Sequence, residues 1–392
     1  MASIVDTSVK HAYSSMAGAP TIAGMAGSLI SALDAFLVTG WGIKAVDSAV
    51  ISGGVCRMSF ASGKSAAEAE TVILVSGATP SGLNGEQKVT AVSNTWVEFK
   101  TNLPDGPVSG SISFKMAPLG WEKVFSKTNV AVYRQTDPAS TRTYYRVDDT
   151  NALYARVQMY ESMTDVDNGT APSPQSVAGG YYWSKRSSGA TSAYWVLAGD
   201  SRGVYCLIST NAASTPATNN GYALISQYMG DLISYRSGDA WCAMLTGAAN
   251  ASYNSTVGCL FCAAGSVGFT LKRASHGLGA AVQVARKIFG TLASISGSDS
   301  YLGYFPSAVD NGLHLSPVLL GDGPDASAPP RGIAPGILHC PQMAVLAGLG
   351  WDVALQKGQG AFTGKVLLSV TIGAASTNQG VAFLDVTGPW RS

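Results

Sequence analysis

The most enzyme-like phrase in this chain is Gly199-Asp200-Ser201-Arg202-Gly203, which has the spacing of a nucleophilic serine turn. In such a turn a strand precedes the serine and a helix follows it, so that the hydroxyl stands above a helix N-terminus. Here Tyr194 to Leu197 reads as a strand, but Val204-Tyr205-Cys206-Leu207-Ile208 reads as another. The five residues therefore predict the turn of a β-hairpin. The available bases are His11, His276, His314 and His339, and no spacing ties any of them to Ser201.

Metal chemistry has two candidate stretches. Cys259-Leu260-Phe261-Cys262 with His339-Cys340 offers four soft ligands in two close pairs, as a tetrahedral zinc site needs. Residues three apart on a strand point to opposite faces, so both thiols converge only if Leu260-Phe261 turns, and that pair is a poor turn former. Buried thiols acting as small hydrophobes are the simpler reading. Asp165, Asp167 and Asn168, in the Pro/Asp/Asn/Ser loop over residues 164–176, place oxygen ligands as calcium loops do. The glycine and glutamate that complete the long calcium-loop pattern are missing, which favours a solvated turn.

Asp148-Asp149 lacks a second carboxylate at a glycosidase distance and reads as a turn. Gly348-Leu349-Gly350 lacks the third glycine and the acidic residue of a dinucleotide loop. The sequence thus assigns no catalytic, cofactor-binding or metal residue, and the expectation is a protein that is not an enzyme.

The elements that would hold such residues are mostly strands. From Val46 to Pro118, short alternating runs recur between turn signals. In Val55 to Phe60, Cys56, Met58 and Phe60 face inward. Thr71 to Ser76 is β-branched and ends in the Gly/Pro/Asn-rich loop Gly77 to Gly85. Glu86 to Val92, Trp96 to Lys100 and Ser109 to Lys115 complete a small all-β module. The pattern from Ser76 to Pro80, Leu83 to Gly85 and Gly110 to Ser113 resembles a β-module that recurs in structural proteins of tailed bacteriophages. That family carries a Gly-His-Gly phrase before its central strand, where this chain has Ala61-Ser62-Gly63-Lys64-Ser65. Trp121 to Phe125, Asn129 to Arg134, Tyr145 to Asp149, Glu161 to Asp165 and Gly380 to Trp390 are similar to phrases of phage virion proteins of this length. The resemblance implies a setting and no catalytic residue.

Ahead of the module, Leu29, Ile30, Leu33, Phe36 and Leu37 share one helical face, with Ser28 as cap and Gly40 as stop. Ser14 to Gly27, rich in Gly, Ala and Ser, predicts an arm that reaches onto a neighbouring subunit. After the module, residues 129–160 alternate as hairpin strands. Tyr181 to Trp183, Ala193 to Ala198, Val204 to Ser209 and Gly221 to Tyr228 form a meander dense in aromatics. Those aromatics would form either core and subunit contacts or a glycan-stacking platform. Asp239 to Leu245, Gly258 to Ala263 and Ser266 to Lys272 continue the strands. Gly279 to Thr291 fits a short helix or two strands. Ser296 to Pro335 reads as a long loop that lies across a neighbour, and Lys365 to Ile372 with Val381 to Val386 as C-terminal strands. The expected division is an arm and helix over 1–44, the module over 45–118 and a β-rich body over 119–392.

Composition limits the partners. The 392 residues are 46% hydrophobic and 12% charged, with 45 glycines, so little charge is left to keep the surface apart from other subunits. Lys plus Arg is 25 and Asp plus Glu 24, giving a net charge of +1 that argues against nucleic acid as the main partner. No window reaches the roughly 18 apolar residues of a membrane span, and residues 1–6 do not read as a secretion signal. Six cysteines in a chain of this size do not make a disulfide framework.

The sequence predicts a mainly β protein, an antiparallel sandwich or meander with an N-terminal helix and an inserted module. The expected function is a structural part of a tailed-phage virion, in tail, baseplate or neck. There it would form a homo-oligomeric ring or trimer with other tail or baseplate proteins, assembled in the host cytoplasm. The alternative is a receptor-binding fibre or spike protein that recognises a host surface glycan.

Overall fold

The computed structural model describes residues 3–61, 63–210, 224–251, 268–283, 286–288, 291–292, 303–325, 327–340, 342, 344–345, 349, 353–374 and 378–391. Strands take 45% of the described residues and helix 6%, so the fold is mainly β, built of several antiparallel sheets with one short N-terminal helix.

The module is one bent sheet of eight strands. Their order is Trp41–Ala45, Ser113–Met116, Val72–Ser76, Gly85–Val92, Trp96–Lys100, Val55–Ser59, Ser48–Ser52 and Gly106–Val108. A register shift between Val89 and Ala91 lets the long strand Gly85–Val92 serve both halves of the bend. Cys56, Met58 and Phe60 are buried, as their alternation predicts. Of the expected strand Ser109 to Lys115 only the end is strand: Ser113–Met116 pairs with Val72–Ser76, while Gly106–Val108, just before the expected start, pairs with Ser48–Ser52. The break falls where two backbones touch. A Cβ on Gly77 would lie 2.1 Å from the Ser111 carbonyl oxygen, and one on Gly110 would lie 2.1 Å from that of Gly77. Asn84 braces the same crossing, accepting from the Ala78 amide and donating to the Ala78 carbonyl, both at 2.9 Å. Trp41–Ala45, within the segment expected to be arm and helix, is an outer strand of this sheet.

The N-terminal helix runs Ser28–Leu33 and continues through Asp34–Thr39 as a wider turn, in which the Gly40 amide donates to the Ala35 carbonyl at 2.8 Å. Leu29, Leu33, Phe36 and Leu37 are buried, and Gly40 ends the helix at φ 69°. Ser28 does not cap it: its hydroxyl donates to the carbonyls of Ala23 and Met25.

Three stacked sheets make the body. The first is a meander of Glu122–Lys127, Val130–Arg134, Tyr144–Asp148, Tyr154–Tyr160 and Tyr181–Ser184. The middle sheet runs Lys10–Tyr13, Trp195–Asp200, Gly203–Ile208, Ile225–Asp231, Ala243–Thr246, Phe269–Leu271 and Val282–Gln283. The third is built around Ser316–Gly321, Pro330–His339, Asn378–Asp385, Val366–Ala374 and Ala354–Lys357.

The middle sheet is buried on both faces, and alternation assigns its side chains to two cores. Trp195, Leu197, Cys206 and Leu245 pack with Tyr133, Tyr145 and Trp183 of the meander and with the helix and module. Val196, Ala198, Tyr205 and Met244 pack with Leu320, Ile337, Leu368 and Leu384 of the third sheet. A strand wetted on neither face has no polar alternation to keep, which explains the unbroken apolar runs in these segments.

Several expectations are corrected here. Within the segment expected to be arm and helix, Lys10–Tyr13 is a strand that pairs antiparallel with Trp195–Asp200, and in the expected arm Ser14 to Gly27 the Ser14 amide donates to the Trp195 carbonyl and the Ile22 carbonyl accepts from the Ala193 amide. The stretch Ser296 to Pro335 is not one long loop, because it contains the strand Ser316–Gly321 and the start of Pro330–His339. Prolines that suggested loop sit beside register shifts in this pair, where ladder amides are not required. Gly332 is needed because the short strand Ile233–Ser234 crosses it, and a Cβ there would lie 2.2 Å from the Ile233 carbonyl oxygen. Within Gly279 to Thr291 the described elements are short strands, Val282–Gln283, Arg286–Ile288 and Thr291–Leu292. The expected strand Gly258 to Ala263 lies outside the described residues.

Candidate functional site

Ser201 sits where the hairpin reading puts it. Asp200 pairs with Gly203, so Ser201 and Arg202 are the two turn residues between antiparallel strands. The Asp200 carboxylate closes the turn by accepting from the amides of Arg202 and Gly203 at 2.9 and 2.8 Å. The serine hydroxyl donates to Asp137 at 2.6 Å. It therefore faces a carboxylate and not an imidazole, an arrangement that fixes a turn and does not activate a nucleophile.

Around this turn lies a network that local spacing does not reveal. Arg391 donates to the second oxygen of Asp200 and to the Asp231 carbonyl. Arg202 donates through Nε and Nη2 to Asp231 Oδ2, both at 3.2 Å. Asp231 also accepts from the Thr141 amide at 2.9 Å and the Thr141 hydroxyl at 2.6 Å. A second unit stands beside it: Arg331 donates to both oxygens of Asp239 at 2.7 and 2.9 Å and also pairs with Asp322. Burial pushes the Asp231 carboxyl up, against the pull of Thr141 and the two arginines.

Of this network, Thr141, Arg202, Asp239 and Arg391 line a cleft of about 620 Å³, and Asp200 and Asp231 are buried behind them. Its walls include Ser140, Thr141, Ser234, Arg236 and Ser237. Arg236 is exposed and donates to the Ser275 carbonyl; it forms no ion pair among the described residues. Sequence reasoning missed this site because Arg202, Arg236 and Arg391 come from three distant segments. The only local signal was the turn composition of Ser234 to Asp239.

The other candidate residues resolve into structural roles. Asp149 is wholly buried and accepts from the Leu29 and Ile30 amides at 2.8 and 3.3 Å, which caps the N-terminal helix. Its other oxygen accepts from Lys185, whose ammonium also donates to the carbonyls of Met25 and Asn151. Burial pushes the Asp149 carboxyl up and the Lys185 amine down, while their mutual hydrogen bond opposes both shifts. Asp148 pairs with Arg146. In the 164–176 loop, Asp165 accepts from the amides of Asp167 and Asn168, and Asp167 is held by Lys127 and Arg146. The carboxylates thus spend their oxygens on donors of the loop and of the sheet beneath.

Cys340 packs in a small apolar cluster with Val345, Leu367, Val381 and Phe383, and burial pushes its thiol up to about 11. Its proposed zinc partners Cys259 and Cys262 lie outside the described residues, as do Gly348 and Gly350. Among the described residues no group of three His, Cys, Asp or Glu side chains could hold a metal ion.

Tyr181, Trp183, Trp195, Tyr205 and Tyr228 are buried, so of the two readings offered for the aromatics the core reading holds for these five; Tyr182 and Tyr194 are half-buried, and Tyr222 lies outside the described residues. The polar atoms of the buried five point to internal acceptors: the Trp183 indole donates to Thr246 and that of Trp195 to Pro20. No helix among the described residues is long and apolar enough to cross a membrane. No protein-family model matches the chain, and no curated protein matches it in sequence.

Proposed function

We propose that this chain is a structural component of a tailed-phage virion, in the tail, baseplate or neck, where copies join in a ring or trimer. The observation that carries the reading is where the charge has gone. Among the described residues, the buried carboxylates Asp149, Asp200 and Asp231 each hold a cation, and the partners of Asp200 and Asp149 come 191 and 36 residues later. Such groups fasten layers together, and with only 12% of residues charged the outside has few charges to hold copies apart.

Unpaired sheet edges add support. Ala354–Lys357 ends the third sheet with Leu355 exposed, and Ile43 on the outer strand of the module is 77% exposed. Open strand edges and isolated apolar residues suit a subunit that completes its burial against copies of itself. The module that resembles phage structural proteins supplies the setting.

Light scattering of the purified chain, with copy counting of particle substructures, tests the proposal. A mass of three or six copies, and antibody labelling of one part of the particle, is the expected result. A chain that stays monomeric at every concentration and is missing from purified particles would overturn it.

A further inference from the structure

We infer that the cleft between the Ser201 turn and the Tyr235–Ala240 loop is a binding site for an acidic saccharide. The inference goes beyond the structural role and does not rest on it, since a single copy contains the whole site.

Three guanidinium groups line the cleft, those of Arg202, Arg236 and Arg391, against one lining carboxylate, Asp239. The others that belong to the network, Asp200 and Asp231, stand behind the arginines and are buried. They fix Arg202 and Arg391 in place, as supporting residues do in preorganised sites. Asp239 is turned away from the opening by its two bonds to Arg331. Arg236 forms no ion pair among the described residues, so its charge is left for a ligand. An arginine fork matches a carboxylate by paired hydrogen bonds.

The remaining walls choose the body of the ligand. The hydroxyls of Ser140, Thr141 and Ser234 donate to the Asp137 carbonyl and to the carboxylates of Asp231 and Asp239, which leaves them lone pairs to accept from a ligand hydroxyl; Ser237 is exposed, and Gly238 leaves open space beside its Cα. Of the large apolar residues of the lining, Leu232 and Trp390 are buried and Ile233 is half-buried. A peptide would need an apolar pocket for an anchoring side chain, and one half-buried isoleucine does not make one. A polyhydroxylated ring with a carboxylate meets both the hydroxyls and the free guanidinium. The volume of about 620 Å³ falls within the range of small-molecule sites.

The test is titration calorimetry of the full chain with glucuronate, using glucose as the neutral control and acetyl-aspartate as the peptide-like acid. Saturable binding of glucuronate is expected, with glucose weaker by about tenfold or more, as the loss of a charge-assisted bond implies. Arg236→Gln should weaken glucuronate by a similar factor and leave the melting temperature unchanged, because the side chain is exposed. Ser237→Trp, which fills the opening, should abolish binding. Absence of saturable glucuronate binding, or equal binding by wild type and Arg236→Gln, overturns the site. Acetyl-aspartate binding as tightly as glucuronate overturns the saccharide assignment. None of these outcomes depends on whether the chain assembles.

Discussion

The Asp149 carboxylate caps a helix whose first amide lies 120 residues earlier in the chain, and Lys185 neutralises it in a pocket where both side chains are fully buried. The helix and two strand ends of the meander, those after Asp148 and after Ser184, meet at this one ion pair. A pair of this kind contributes little net stability over an apolar substitute, but removing one partner leaves a charge stranded.

Lys185→Met is therefore expected to cost about 3–5 kcal/mol in urea denaturation. The double variant Asp149→Asn, Lys185→Met keeps an oxygen for the Leu29 amide and should recover much of that loss. A single variant as stable as wild type would show that the pair is not what joins these elements.

His11 supplies a pH dependence. Its ring is buried, neither nitrogen has a hydrogen-bond partner among the described residues, and burial with the nearby Lys88 charge lowers its pKa to about 3 from the usual 6.5. The folded state therefore refuses a proton that the unfolded state accepts. Its contribution is full above pH 6.5 and is lost as pH falls toward 3, by about 1.4 kcal/mol per unit. Between pH 7 and 4.5, His11→Leu should lose about 2–3 kcal/mol less stability than wild type. Parallel denaturation curves at the two pH values decide it.

Ser201→Ala should cost only about 1 kcal/mol, the net worth of an ordinary hydrogen bond. A fluorophosphonate probe should leave Ser201 unlabelled, since no imidazole activates it. Labelling that disappears in the alanine variant would restore the nucleophile reading.

Gly336 has φ 63°, and a Cβ there would lie 1.9 Å from the Trp390 ring. Gly336→Ala should cost about 1–3 kcal/mol or more, because neither the backbone angle nor the buried indole gives way easily. Thermal denaturation monitored by near-UV circular dichroism, which reports indole packing, would register the change.

What could be read in advance was set by how many faces of a strand meet water. Trp96–Lys100 and Val55–Ser59 have one wet face, so alternation located them closely. Trp195–Asp200 and Gly203–Ile208 have none, so no polar alternation told whether their aromatics met the core or another subunit. Pro317 and Gly332 mark irregular pairing inside a sheet, yet in sequence they look the same as loop residues. The cleft was the least legible part. Arg391 meets Asp200 across 191 residues, and no periodicity encodes a contact of that length.

The strand Lys10–Tyr13 closes one side of the middle sheet by pairing with Trp195–Asp200. A ribosome makes these two pieces in the wrong order for prompt docking: the first must wait, uncovered, while some 180 residues are added. The module, whose strand pairings all lie within residues 41–116, can settle during that delay, while the body ripens only after its later strands emerge. Shortened nascent chains that stop before residue 195 should consequently leave Lys10–Tyr13 open to protease, and longer ones should hide it.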